Sequence, residues 1–542
     1  MTSSTLQDPI VIVGSGPSAM HYALTALELG RKVTVLDIGY PKPDPVRPDA
    51  SLNQLKSELP DPVDYFLGEQ FESVILPGDD SEYYGFPPSK SYVFRQLPDY
   101  LLETRGMWPL LSFATGGLAQ AWTGGSYPFS DGELEAFPFG WDELGPHYST
   151  VARRIGISGS ARDDLAPYMP AHEGIQEPVE LSAHSRKLLT DYQRERSKLQ
   201  ARGFHMGHAR LATLSRDHAG RPACAKLGRC LWGCPQQSLY TPSITLDHLR
   251  QQPGFEYIPN VRVERFAYDD RNRVTEVIGA SLTSGQELRR QVGSLVLGAG
   301  TLASARILLE SLRHTGVRAE LTGLMDNRQV LMPFVNLGQI GKPFDDRSYQ
   351  YHQLAIGMPG PKPIDYVHGL VTTLTTALVH PVVQSLPVAA RTAMALFRNI
   401  HSALGLVNIN FGDFRRDGNR VALDVDAQGR SKLLVHYEPD VGEPALLKPT
   451  IQRFRSFLWA LGCIAPPNMT RLRPMGASVH YAGTLPMSVD GGDFTSDRSG
   501  RCRPFENLVF VDGSTFPSLP AKNLTFTLMA NATRIAHETL AS

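Results

Sequence analysis

The chain is expected to join α/β with α+β architecture: an α/β unit assembled from separated segments, and an inserted unit on a large, mostly antiparallel sheet. Three observations predict this. A β-α-β pattern opens the chain, strand-turn-helix patterns return near Leu295 and Leu508, and β-rich runs dominate from about Glu320 to Arg473. The length of 542 residues is also too great for one hydrophobic core.

The first element pair is Ile10 to Val13 and Lys32 to Leu36, both β-rich, flanking a helical stretch from Ser18 to Gly30. Asp37 to Pro109 is rich in Pro and Asp and reads as an irregular excursion. A Gly-rich loop, Thr115 to Gly125, precedes Trp141 to Tyr148, which should open a helix. A helix is expected from Pro242 to Arg250, then strands at Phe255 to Ile258, Arg262 to Tyr268, Val274 to Leu282 and Ser294 to Leu297. In the inserted unit, strands are expected at Arg328 to Ile340, Leu404 to Phe411, Arg420 to Val425 and Lys432 to Tyr437. Between them, the apolar stretch from Pro387 reads as one amphipathic helix with Met394, Phe397 and Ile400 on a face, lining the core or a pocket rather than a membrane surface. A strand at Leu508 to Asp512 and a helix at Leu524 to Leu540 close the chain. The expected division is 1–160, 200–315 and 475–542 in one domain, with 161–199 and 316–474 in the other.

Composition excludes several function classes. Lys plus Arg number 53 and Asp plus Glu 54, a balance with no basic face for nucleic acid. No apolar run is long enough for a transmembrane span, and the polar Met1 to Asp8 leads straight into a strand without a signal peptide, so a cytoplasmic location is expected. Five cysteines are too few and too unevenly placed for a disulfide framework.

Gly14-Ser15-Gly16-Pro17-Ser18-Ala19 lies between a strand and a helix, the setting of a Rossmann-like dinucleotide cradle. Gly14 permits the tight turn, Gly16 lets a pyrophosphate approach the backbone, and Ala19 allows close helix–strand packing. Asp37 ends the second strand, where a carboxylate can bind a ribose hydroxyl. Near the other end, His480 precedes Gly483-Thr484 and lies upstream of Asp512-Gly513, with Asn523 beyond. A neutral imidazole can take a hydroxyl proton, and an amide that cannot titrate can hold the same oxygen. Asn523 also suits an N-cap for the closing helix.

These residues together resemble the glucose–methanol–choline (GMC) family of FAD-dependent oxidoreductases. The resemblance runs through Gly14 to Ala19 with Asp37, Gly116-Gly117, Trp141 to Tyr148, Leu295 to Gly300, and His480 to Ala536. It implies FAD bound by the first domain and a second domain whose sheet roofs the substrate pocket. His480 takes the place of the family's catalytic histidine, Asn523 that of its second catalytic position, and Asp512-Gly513 that of the segment along the flavin's pyrophosphate. The implied reaction is oxidation of a CH–OH group of an alcohol or sugar by hydride transfer to flavin N5, with electrons passing on to oxygen or another acceptor. Where some members carry a flavin-linking histidine this chain has Ala121, so the FAD is expected to be non-covalent. Asp326-Asn327 stands where many relatives have Asp-His, a departure given no mechanistic weight here.

Cys224, Cys230 and Cys234 are closely spaced, and three such thiolates could hold an iron–sulfur cluster. Leu227, Leu231 and Trp232 make the loop partly apolar, which suits a packed structural turn as well as a shielded cluster; because free thiols are often just small buried hydrophobes, the turn is the expected reading and no metal site is assigned. Two alternatives stay open: an iron–sulfur-containing catalytic subunit of a sugar dehydrogenase complex, and a non-redox flavin lyase or decarboxylase on the same scaffold.

Overall fold

Five parallel strands form one sheet of the molecule. Their order is Leu508–Phe510, Ser294–Leu297, Ile10–Val13, Val33–Leu36 and Phe255–Ile258, so neighbours in the sheet come from distant parts of the chain. The computed structural model describes residues 9–74, 87–374, 387–426 and 428–540. Side chains alternate across the sheet. Ile10 and Ile12 meet helices Pro17–Glu28 and Thr525–Leu540, while Val11 and Val13 face helix Thr301–His314. Both faces are covered, which explains why the first strand reads Ile-Val-Ile-Val without a polar residue. Each such buried side chain contributes about 1.5–3 kcal/mol of transfer free energy. Strands Val261–Tyr268, Val274–Ser281 and Glu287–Gln291 form the expected meander beside it.

The large sheet has seven strands, and every pairing in it is antiparallel. Along its main path the order is Cys463–Ile464, Arg328–Asn336, Leu404–Phe411, Val367–Thr373, Leu354–Met358 and His205–His208, with Arg471–Leu472 pairing to one side. One face, carrying Val330, Met332, Val407 and Ile409, packs on Leu188 and Tyr192 of helix Ala183–Gln200 and on Phe454 and Phe457 of helix Glu443–Ala460. On the other face Leu331, Pro333, Leu406 and Asn408 are half-buried.

Several expectations need correction. Arg420–Val425 and Ser431–His436 do not join the large sheet. They form a separate four-stranded sheet with Glu320–Thr322 and Leu102–Arg105. The stretch from Asp37 is not wholly irregular: it holds helix Leu52–Glu58, with a Ser51/Gln54 capping box, helix Pro62–Leu67, and that strand Leu102–Arg105. The strand expected to reach Ile340 stops at Asn336, whose side chain accepts from the Gly338 N–H and turns the chain. The large sheet also takes in edge strand His205–His208, which pairs with Leu354–Met358. Finally, in helix Ala390–Ile400, Ala393 and Phe397 are buried, but Met394 and Leu396 face outward.

Candidate active site

A cleft of about 730 Å³ opens at the carboxyl ends of the parallel strands. Helices Pro17–Glu28 and Thr301–His314 begin there, with Gly16 and Gly300 as N-caps and no acidic residue in either first turn. Two uncapped helix N-termini beside one cleft favour an anion. Gly14 has φ +95°, and a Cβ there would lie 2.8 Å from the Gly298 carbonyl oxygen, so neither its conformation nor its space admits a side chain. Ala19 packs behind the turn, within 2.8 Å of where a Gly298 Cβ would sit.

Gly14 to Ser18, Asp37, Gly117, Gly300, Asp512 and Gly513 all line this cleft. Gly116 stands just behind, donating its N–H to Ser15 Oγ at 2.8 Å. Asp37 accepts from the Ser15 hydroxyl and, at 3.0 Å, from the Tyr257 hydroxyl, while burial raises its pKa to about 6. Tyr257, 220 residues away, carried no signal in the sequence. Asp512 accepts from the Gly300 N–H at 3.0 Å, the Ser514 N–H at 3.1 Å and the hydroxyls of Ser304 and Ser514. Both its oxygens are thus engaged within the chain, and its work is to shape the cleft wall.

His480 and Asn523 meet directly behind residues that line this cleft. Their chain neighbours Val479, Tyr481, Leu524 and Thr525 line it, and Asn523 Nδ2 lies 3.4 Å from His480 Nε2. The 480 segment is held from two sides: Gly483 donates to the Gly513 carbonyl at 3.0 Å, and Thr301 Oγ1 to the Tyr481 carbonyl at 2.7 Å. Val479 has φ +61°, a left-handed conformation costly for a β-branched residue by about 1–3 kcal/mol. That strain sits immediately before His480.

The neighbours of His480 determine which of its nitrogens is the acceptor. Asn327 Nδ2 donates to the Phe411 carbonyl at 2.8 Å and the Pro520 carbonyl at 3.0 Å, which fixes its amide orientation. Its Oδ1 therefore faces His480 Nδ1 at 2.9 Å as an acceptor, and Nδ1 must carry the proton. Nε2 is left with its lone pair directed at Asn523. Asp326, the preceding residue, accepts from the Gly476 N–H and the Ser478 hydroxyl, and Ser478 Oγ in turn accepts from the His480 N–H at 2.9 Å. Asp326 thus holds the backbone and Asn327 the ring. Burial, helped by the Arg473 guanidinium, lowers the His480 pKa to about 4, so the imidazole is neutral near pH 7. Asn523 Oδ1 is buried with no partner among the described residues.

Among the described residues no group of three or more His, Cys, Asp or Glu side chains is placed to hold a metal ion. Cys230 is buried and Cys224 half-buried, and burial pushes the Cys224 thiol up to about 11. Trp232 packs edge-on against Phe66, and the turn is part of an apolar cluster.

Comparison with known proteins agrees with this geometry. The sequence pattern of the GMC oxidoreductases matches residues 468–532, the stretch that carries both His480 and Asn523. The chain is 24% identical over 582 residues to 2-methyl-1,2-propanediol dehydrogenase of Mycolicibacterium austroafricanum, covering 98% of this chain and 95% of that protein. It is 24% identical over 466 residues to 6'''-hydroxyparomomycin C oxidase of Streptomyces lividus, covering 79% of this chain and 78% of that one. Its fold is similar to the crystal structure of pyridoxine 4-oxidase from Mesorbium loti, with a TM-score of 0.61 and 15% identity over 99% of this chain and 100% of the other. With the cleft, the paired sheets and the C-terminal match together, the chain is similar in fold and in its C-terminal sequence to the glucose–methanol–choline oxidoreductases.

Proposed function

We propose that the protein oxidises the CH–OH group of an alcohol or sugar with FAD as cofactor, His480 acting as base and Asn523 holding the substrate oxygen. The observation that carries this is the His480–Asn523 pair itself, with Nε2 unprotonated, Nδ2 beside it, and their chain neighbours Val479, Tyr481 and Leu524 lining a cleft of dinucleotide size. The relatives named above support the reaction class: a diol dehydrogenase and an oxidase of a hydroxylated paromomycin.

The residues present fit FAD. The Gly14 turn and the two uncapped helix starts suit a pyrophosphate, Asp37 suits a ribose hydroxyl, and a Cβ at Gly14 would close the cradle. When bound, FAD supplies the acceptor for the hydride. The chain's own residues handle the proton. A hydroxyl oxygen at ordinary hydrogen-bond distance from both nitrogens forms a triangle on their 3.4 Å separation. In that position the hydroxyl donates to His480 Nε2 and accepts from Asn523 Nδ2. As the proton passes to Nε2, the amide stabilises the charge that develops on oxygen. The imidazolium so formed keeps its Nδ1–H on Asn327. Because Ala121 has no nucleophile, the cofactor is proposed to be non-covalent.

Anaerobic addition of an alcohol and sugar panel to the yellow holoprotein tests the reading. One or more members should bleach the flavin, and His480→Ala should slow that bleaching by about 10²–10⁴-fold. A holoprotein that no member bleaches, or a variant that reduces flavin at the normal rate, would overturn it.

A further inference from the structure

At the outer end of the large sheet, three chain segments leave large apolar side chains in solvent. Helix Ala390–Ile400 presents Met394 (37% exposed) and Leu396 (44%), while its Ala393 and Phe397 point inward. The turn after strand Arg328–Asn336 adds Leu337 and Ile340, and the end of helix Glu443–Ala460 adds Trp459, which is 68% exposed. These segments form one rim. Gly341 donates to the Asn399 carbonyl at 3.0 Å, Ser402 Oγ to the Gln339 carbonyl at 2.9 Å, and Leu337 to the Gly462 carbonyl at 3.1 Å. Isolated exposed leucines need no explanation, but a stitched group of this kind marks an interaction surface.

Charge indicates what that surface meets. Residues 337–342, 387–400 and 459–464 contain Lys342, Arg391 and Arg398 and no Asp or Glu at all. All three cations are exposed. Of the nearest acids in sequence, Asp345 and Asp346 are only half-exposed, and Asp346 already accepts from Asn53. Apolar side chains interleaved with Arg and Lys, and a tryptophan among them, match the chemistry of a lipid interface: the apolar groups enter the acyl boundary while the cations meet anionic headgroups. No helix of the described residues is long and apolar enough to cross a membrane, so the attachment would lie on the surface. We propose that this rim docks the protein onto an anionic lipid bilayer. The proposal concerns binding alone and is independent of the catalytic reading. It also places the candidate catalytic pair in relation to the bilayer, since strand Arg328–Asn336 follows directly on Asn327, the partner of His480, and ends at the rim.

The test uses the full holoprotein and vesicle sedimentation. Equimolar phosphatidylcholine–phosphatidylglycerol vesicles should carry the protein down, and pure phosphatidylcholine vesicles should carry far less. Arg391→Glu with Arg398→Glu should weaken partitioning by at least about 30-fold, since each basic group near an anionic surface contributes roughly fivefold. Met394→Ser with Leu396→Ser should weaken it on both vesicle types. All four side chains are exposed, so the melting temperature of each double variant should match the parent and separate lost docking from lost folding. No sedimentation with either vesicle, equal binding to both, or undiminished binding by the variants would each overturn the proposal. So would light scattering that shows a dimer without vesicles which Met394→Ser with Leu396→Ser dissociates, because the rim would then be covered by a second copy.

Discussion

Replacing Asn327 by leucine tests whether the tautomer of His480 is set from the large sheet. The side chain is 1% exposed and makes three hydrogen bonds, to the carbonyls of Phe411 and Pro520 and from His480 Nδ1. Leucine keeps the volume but orphans two carbonyls and one N–H, a stability loss of about 3–6 kcal/mol at roughly 1–2 kcal/mol each. The chemical effect is separate. Without Oδ1, the Nδ1-protonated form loses about 1–2 kcal/mol of preference, so roughly 5- to 30-fold less of the imidazole presents a lone pair at Nε2. Flavin reduction should slow by about that factor, well short of the 10²–10⁴-fold expected on removing the imidazole. The assay is anaerobic stopped-flow reduction, scaled to bound flavin and run below the variant's melting temperature. The limiting rate should fall while the apparent dissociation constant for the alcohol holds. Asn327→Asp supplies a second readout, since a carboxylate beside Nδ1–H favours the imidazolium and should move the acid limb of activity upward. A leucine variant with the parental limiting rate, or an aspartate variant with an unmoved acid limb, would refute the reasoning.

Three further outcomes follow from the same geometry. With its pKa lowered to about 4, His480 is unprotonated at all higher pH, so kcat/KM should be lost only as pH falls through about 4; an acid limb at the ordinary histidine value would contradict this. Gly14→Ala should yield protein with little or no bound flavin, because the new Cβ would sit 2.8 Å from the Gly298 oxygen at φ +95°; stoichiometric flavin by absorbance would refute it. Acid precipitation should leave the yellow colour in the supernatant, and a yellow pellet would show a covalent bond that Ala121 cannot make.

The cofactor side of the fold was legible because its signals are local. Gly14 to Ala19 needs only its own strand and helix to be read, and strands such as Leu295 to Leu297 are apolar on both faces. His480 and Asn523 were legible as chemistry, through residue type and resemblance. What a residue faces is another matter. Nothing around Asn327 signals a histidine 153 residues later, because that contact exists only once the large sheet has formed. Alternation in hairpin Arg420–Val425 and Ser431–His436 predicts two strands but not their sheet, since it reports a buried face and not which strand pairs beside it. Helix Ala183–Gln200 went unread because it is strongly polar, with only a few residues such as Leu188, Tyr192 and Leu199 buried.

The order of strands in the parallel sheet has a consequence for the birth of the molecule. Helix Pro17–Glu28 packs against helix Thr525–Leu540, and the edge strand Leu508–Phe510 lies beside Ser294–Leu297. At the usual pace of synthesis, the first helix waits roughly half a minute to two minutes for the last to leave the ribosome. Until then Met20 and Ala23 lack their closing partners, and neither Asp512 nor Asn523 exists to complete the cleft. A nascent chain of this protein must therefore be shielded while it is made. Loss of even the final helix should leave an aggregating polypeptide instead of a slower enzyme.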